Sequence, residues 1–518
     1  MQHASASRFG ERTIAAGALG CVCVALALAF GAAPAAGAAK VVKLGADGRA
    51  RTVVDRAVPA TADFVVRPAP RRAASASLAR RAQAPGRTVI GELTALRDSG
   101  QIDPATYDQR RGEYESAREE LEGLSGRREL ELGGVLANLD AIAASGQLTP
   151  SRLNALWLTL DANVEWWTTG PLLSSGQRVE RDGSRIVWQY YAGEGIQIQV
   201  LGTFGKLNYY ARSRRISDAT VSRLVDEMLA LPAERAGGIA WEYYFDFGVG
   251  APPWASGMAQ ATGMQALSRA ARRLGREAEI YPIASRALGI FERPSPEGVR
   301  LDEPDGPHYL LYSFDPDLRV LNGFAQALIG LHDFAELSGD PRAQALFAAG
   351  DVVARRETPL YDTGYWSLYS LGRVANESTL SYHQLVRDFM RGLCERTEAE
   401  PYCNAEAAFT AYETEDPVLR LRSRRLRGGK VGRLKYDVTK VSRVGIEVRR
   451  AGRLVLSRTV SSAPHGTRYV EWDVPRRAGT YTVSITAVDL AGNAGTTSGS
   501  LKVLKPKPKK AKRKRRRP

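Results

Sequence analysis

Apolar side chains recur at steps of three and four residues through the middle of this chain. Leu321, Phe324, Leu328, Leu331 and Phe334 form one such series, and Tyr382, Leu385, Phe389 and Leu393 form another. Steps of that size line one face of a helix, so helices are predicted from about residue 216 to 398, joined by aromatic and Gly/Pro-containing loops. Further upstream, Ser99-Gly-Gln-Ile-Asp-Pro104 returns 46 positions later as Ser145-Gly-Gln-Leu-Thr-Pro150. In each copy Gly can end one helix, while Asp103 or Thr149 caps the next and Pro occupies its first turn. Between these helical stretches the pattern changes. Arg185-Ile-Val-Trp-Gln-Tyr-Tyr191 and Ile196-Gln-Ile-Gln-Val200 alternate or run β-rich between Gly-containing turns, which predicts a small β section. After Asp416, Val444–Val448, Arg453–Leu456, Arg468–Trp472 and Tyr481–Ala487 read as short strands, with turns at Arg450-Ala-Gly452 and Asp489-Leu-Ala-Gly-Asn493.

The expected architecture is a multi-domain α+β protein. A helical hairpin region spans 88–175 and a small β section 176–210. Helices over 211–412 fit an incomplete α/α toroid with loops around one cleft, and 416–504 fit an immunoglobulin-like or fibronectin-like β-sandwich. A chain of 518 residues can hold several cores of this size. Residues 1–38 read as a secretory signal, with Arg8 and Arg12 ahead of the apolar run Ala15–Ala33 and small residues at Ala36-Gly37-Ala38. That run approaches the roughly 20 residues a membrane span needs, so retention as an anchor is the competing reading. Either way the expected location is secreted or cell-surface. Residues 39–87, rich in Ala, Arg and Pro, read as a linker.

Charge sharpens this division. The formal net charge is +16. Ten Lys/Arg and no acid lie between Lys505 and Arg517, and eleven Lys/Arg face three Asp over 39–87, which leaves residues 88–504 at −3. The folded body is therefore mildly acidic, which argues against specific nucleic-acid binding. The tail 505–518 can hold anionic cell-envelope polymers by counterion release, or simply remain solvated. Cys21 and Cys23 would leave with the signal. Cys394 and Cys403 remain, nine positions apart, and outside the cell they can close a disulfide. With five histidines in the chain a zinc site is not expected. Walker, dinucleotide and HExxH motifs are absent.

The richest chemistry lies in Tyr361-Asp-Thr-Gly-Tyr-Trp-Ser-Leu-Tyr369 and Tyr382-His383, preceded by Pro252-Pro-Trp-Ala-Ser-Gly-Met-Ala-Gln260, Tyr312 and Val320-Leu-Asn-Gly-Phe-Ala-Gln-Ala-Leu-Ile-Gly-Leu331. Aromatic and amide groups at that density suggest a carbohydrate cleft. In order and spacing these segments resemble the C-terminal catalytic region of the D-glucuronyl C5-epimerase family, over roughly residues 150–400. The resemblance implies cofactor-independent epimerisation at C5 of uronic acid residues in a polysaccharide, and a homodimer. It makes Tyr312, Tyr369 and Tyr382 the functional tyrosines. Substrate contacts would come from Gln199, Asn208, Glu242, Ser256, Met258, Gln260, Asn322, Arg373, Asn376 and His383, with Arg373 on the substrate carboxylate. Animal members carry a glutamate just before the first tyrosine, where this chain has Leu311. A base would then come from Tyr382 or Tyr312, or from Glu194 or Glu242 on the cleft wall. The residues alone also admit blander roles. Tyr361 and Asp362 can shape a turn, Asn322 can cap its helix, and Trp254 and Trp366 can pack rather than stack on sugar. A uronate polysaccharide lyase and a non-catalytic glycan-binding wall protein are the alternative functions.

Overall fold

The computed structural model describes residues 38–44, 49–59, 87–372 and 375–507. The proposed signal, most of the linker, Arg373 and the tail beyond residue 507 lie outside the described residues. Four helices open the helical part: α1 (Val89–Asp98), α2 (Pro104–Gly123), α3 (Gly126–Ala144) and α4 (Leu153–Thr169). The repeated hexapeptide acts as the sequence suggests in its first copy, where Asp103 Oδ1 accepts from the Thr106 amide at 2.9 Å. In the second copy Thr149 makes no cap bond, and Pro150–Arg152 forms a 3₁₀ turn leading into α4. Gly100 and Gly146 adopt left-handed φ of 70° and 69°, which ends the preceding helix in both copies.

The linker reading fails at its start. Strands β1 (Ala38–Leu44) and β2 (Ala50–Pro59) form an antiparallel hairpin. It adds to β3 (Arg178–Glu180), β4 (Trp188–Tyr191) and β5 (Gly195–Ile198) in the order β2-β1-β3-β4-β5, with β1 parallel to β3. Val41, Val42, Leu44 and Ala57 are buried, and Lys206 pairs with Asp55 at 2.9 Å. Averaging composition over 39–87 hid this short apolar run. The β section also stops earlier than 210, because α5 (Val200–Arg212) follows directly, with Gln199 as its cap.

After α5 come α6 (Asp218–Leu229), α7 (Gly257–Leu274), α8 (Glu277–Arg286), the one-turn α9 (Gly289–Glu292), α10 (Leu321–Ser338), α11 (Pro341–Glu357), α12 (Leu380–Thr397) and α13 (Glu400–Tyr412). Short two-stranded ribbons fill the loops, among them β6 (Ala233–Arg235) with β7 (Gly238–Ala240), β8 (Arg300–Glu303) with β9 (Gly306–Tyr309), and β10 (Leu318–Val320) with β11 (Ser370–Gly372). Helices α5, α7, α10 and α12 run in the same direction. Asn208 meets Gln265 and Arg269, a Cβ on Gly330 would meet Ala261, and Arg396 meets Asp333. Each of the four is followed by a return helix, and their starts lie at one end. The α7–α10 approach is so close that a Cβ at Gly330 would stand 2.4 Å from the Ala261 carbonyl oxygen. Asp333 fastens α7, α10 and α12 by accepting from Gln265, Arg269 and Arg396 at 2.6–2.9 Å. Burial pushes its carboxyl up, but the hydrogen bonds from His332, Arg396 and Gln265 and the Arg396 charge hold it well below the usual range.

The C-terminal part has its own core. One sheet orders β12 (Leu419–Leu421), β14 (Val431–Val438) and β17 (Gly466–Asp473). The other orders β13 (Arg425–Arg427), β19 (Ala494–Leu504), β18 (Gly479–Asp489), β15 (Ser442–Arg450) and β16 (Arg453–Ala463). Alternate residues such as Leu434, Tyr436, Ile446, Val483 and Ile485 are enclosed between them. Cys394 and Cys403 form a disulfide with Cα atoms 5.0 Å apart, tying α12 to α13. Among the described residues no helix is long and apolar enough to cross a membrane.

Candidate active site

The three tyrosines singled out in the sequence meet at the helix-start end of the four parallel helices. Tyr382 lies in the first turn of α12, whose cap Thr379 accepts from the Tyr382 amide at 3.4 Å. Tyr369 sits against the start of α10, where its carbonyl receives the Leu321 amide at 3.2 Å. Tyr312 follows the strand segment whose Leu310 carbonyl receives the Gly257 amide at the start of α7, at 3.2 Å. The Tyr312 hydroxyl donates to that of Tyr369. The rings of Tyr369 and Tyr382 meet edge to face at 4.9 Å. Phe314 stacks on Tyr312 at 5.4 Å, and Phe247 and Trp254 complete an aromatic wall at 5.5 and 5.9 Å.

Burial raises the Tyr312 hydroxyl well above its ordinary range, and the neighbouring Tyr369 and Tyr382 add to the effect. Burial also raises Tyr369, partly offset by the bond it receives from Tyr312. Both are therefore neutral proton donors near pH 7. The surrounding backbone is electropositive, because four helices present their amide-rich ends here. Gln199 caps α5 by accepting from Gly202 at 2.8 Å, and Ser256 caps α7 by accepting from Ala259 at 3.2 Å. The Gln199 amide nitrogen and the Asn322 amide oxygen are buried and lack hydrogen-bond partners among the described residues. A buried polar atom left open in this way is costly unless water or a ligand satisfies it.

Several expected substrate contacts are employed elsewhere. Glu242 is buried in ion pairs with Arg152, at 2.7 and 3.0 Å, and with Arg235 at 2.8 Å. A carboxylate matched to two guanidiniums serves the core rather than the cleft wall. His383 is enclosed, stacked on Trp366 at 3.7 Å. Its Nε2 donates to the Phe409 carbonyl at 2.9 Å, and its Nδ1 accepts from Ser367 Oγ at 2.8 Å. Burial lowers its pKa to about 4, so it is neutral and structural. Gln260 clamps Trp241 through both backbone groups, at 2.8 and 3.0 Å. Asn208 lies nine residues beyond the α5 cap, about 13 Å along the helix, in the Gln265–Arg269–Asp333 network. Asn376 is exposed and contributes its carbonyl to the Tyr369 amide at 2.6 Å. Met258 is buried in the first turn of α7. Trp254 and Trp366 are buried and stacked on Tyr243 and His383, so both pack. Tyr361 is fully buried, with its hydroxyl donating to the Arg319 carbonyl at 3.2 Å.

Leu311 is buried against Gly323 of α10, whose added Cβ would lie 2.8 Å from that of Leu311. Glu194 accepts from Asn138 at 2.8 Å in the β4–β5 turn. The sequence reading missed Tyr191, whose ring meets Phe245 at 4.4 Å and whose charge would act on Tyr312. It also missed Phe247 and Phe314. The dense aromatic run Trp241–Phe247 was the available signal. A cavity of about 770 Å³ opens elsewhere, among α2, α4 and α6, lined by Trp157, Trp188, Arg110 and Arg181. None of the tyrosine cluster lines it, so size alone does not mark the chemistry.

Residues 236–411 match the family described as D-glucuronyl C5-epimerase C-terminus. This segment, about a third of the chain, is similar to that family. It contains all three clustered tyrosines. A D-glucuronyl C5-epimerase of Caenorhabditis elegans is 35% identical over 137 residues, which is 24% of this chain and 22% of the worm protein. An uncharacterized protein of Methanocaldococcus jannaschii is 26% identical over 202 residues, 38% of this chain and 64% of the archaeal one. The chain thus matches about a fifth of the length of one relative and just under two thirds of the other.

Proposed function

We propose that this protein is a cofactor-independent epimerase acting at C5 of D-glucuronyl or related uronic acid residues in a polysaccharide. The observation that carries the reading is the meeting of Tyr312, Tyr369 and Tyr382 inside the epimerase-family segment. C5 lies next to the uronate carboxylate, so removing its proton gives an enolate-like species, and returning a proton on the other face inverts the centre. Tyr382 and Tyr312 are the opposed proton-transfer pair in this reading. Tyr312, held neutral by burial, suits the donating half of the cycle. Tyr369 lies beside both and donates to the developing charge, with Arg373 assigned to the carboxylate. The four helix starts favour an anionic sugar there. We read the four helical pairs as an incomplete α/α toroid and the C-terminal sheets as an immunoglobulin-like module, on an exported protein.

Incubation with uronate polymers in D₂O is expected to place deuterium at C5 without cleavage. Tyr382→Phe and Tyr312→Phe should each lower the rate by about a hundredfold or more. No deuterium incorporation with any uronan would overturn the reading, and new ultraviolet absorbance of unsaturated uronates would redirect it to a lyase. A second reading, a glycan-binding protein without turnover, draws on Leu311 packed in the core where animal members carry a carboxylate. Glycan binding retained in both Phe variants of a parent without turnover would select it.

A further inference from the structure

The segment that orients Tyr369 is held from outside by the C-terminal sheets. Asn376, Glu377 and Ser378 run alongside Trp366–Tyr369 like a short strand. The Asn376 carbonyl takes the Tyr369 amide at 2.6 Å, Glu377 bridges to Leu368, and the Ser378 amide donates to Ser367 at 2.9 Å. Trp366 Nε1 donates back to the Ser378 carbonyl at 2.8 Å. At the centre of this pairing, the Glu377 side chain is 7% exposed and turns to the β16–β17 turn. The His465 amide donates to its Oε2 at 3.1 Å, and His465 Nδ1 stands 3.1 Å from Oε1, which makes an ion pair only when the imidazole is protonated.

A second hold comes from below. Lys440, between β14 and β15, is 1% exposed and lies 5.9 Å from the centre of the Trp366 ring. Its ammonium donates to the carbonyls of Tyr412 (at 2.6 Å) and Glu415, at the end of α13, and to Asp489. Asn493 adds a bond to the Glu413 carbonyl at 2.9 Å. Burying a lysine with oxygen partners drawn from both parts is costly unless the parts stay docked. A mere spacer would not carry such contacts.

We propose that the C-terminal sheets are a positioning part of the active site, with Glu377 and His465 fixing the segment that sets Tyr369 against Tyr312 and Tyr382. The proposal rests on the epimerase reading for its kinetic consequence, but the clamp can be tested separately. In the full chain, Glu377→Ala should speed hydrogen exchange across residues 366–378 several-fold, while Glu377→Gln, which keeps an acceptor for the His465 amide, should restore protection. On a uronan that the parent epimerises, Glu377→Ala should lower kcat about tenfold with KM within about twofold, and Glu377→Gln should recover most of the rate. Unchanged exchange in Glu377→Ala overturns the clamp. Faster exchange with unchanged kcat in an active parent overturns the positioning role. A parent that exchanges no deuterium at C5 sinks the epimerase reading instead, while the amide exchange still decides the clamp.

Discussion

At the residue scale the chemistry depends on which polar groups the fold brings together at the helix starts. Tyr312, Tyr369 and Tyr382 share one space, whereas His383 and Glu242 are satisfied by protein partners. His383 gives a testable pH signature. Its folded pKa, lowered to about 4 by burial, lies below the ordinary value of about 6.5. Between those values the unfolded chain binds the additional proton, so stability is full above about pH 6.5 and falls as pH drops toward 4, by about 3 kcal/mol from this group. Denaturant unfolding across that range should show the slope, and His383→Gln should flatten it. The legibility of the site follows the same division. Tyrosines spaced along aromatic segments could be picked out in the sequence, but nothing in Trp-Glu-Tyr-Tyr revealed that Arg152, 90 positions away, would claim Glu242.

At the element scale, the parallel helices are held by close approach and by shared charge. Gly330→Ala would drive a methyl into the Ala261 carbonyl, so the α7–α10 contact must open. The expected loss is about 2 kcal/mol or more, read from the denaturation midpoint. Asp333→Ala would leave Arg269 and Arg396 partly buried without their common partner, a loss of about 3–5 kcal/mol in the same measurement. Opening the small disulfide loop by Cys394→Ser should cost about 2.5 kcal/mol. Periodicity located α10 and α12 as helices, but α10 is buried nearly all round, and in α12 the enclosed stripe is His383, Val386, Met390 and Leu393, which shares only Leu393 with the series read from the sequence. It overran at Val200, because a Gln at the strand end serves equally as a helix cap, and only the Gly202 amide reveals which.

At the scale of the whole molecule, the described residues form two cores joined by specific contacts rather than by a bare tether. Lys440 and His465 reach from the C-terminal sheets to the segments around Trp366 and Glu377. The basic tail adds a separate expectation. Residues 416–504 carry eighteen Lys/Arg against six Asp/Glu, so removing residues 505–518 should weaken but not abolish salt-sensitive retention on an anionic polymer column, without altering the thermal midpoint.

The sequence by itself determined the helical and strand-rich regions, the order of the conspicuous tyrosines and the segregation of charge, because periodicity and composition are local properties. It also carried the epimerase-family motifs over residues 236–411. Only the tertiary structure decided that β1 and β2 complete the small sheet, that four helices start at one end, and that the C-terminal sheets grip the Tyr369 segment. Those outcomes depend on partners separated by tens to hundreds of residues, such as Val41 with Arg178 and Glu377 with His465. Burial and pairing at such separations are settled by packing, which no local pattern encodes.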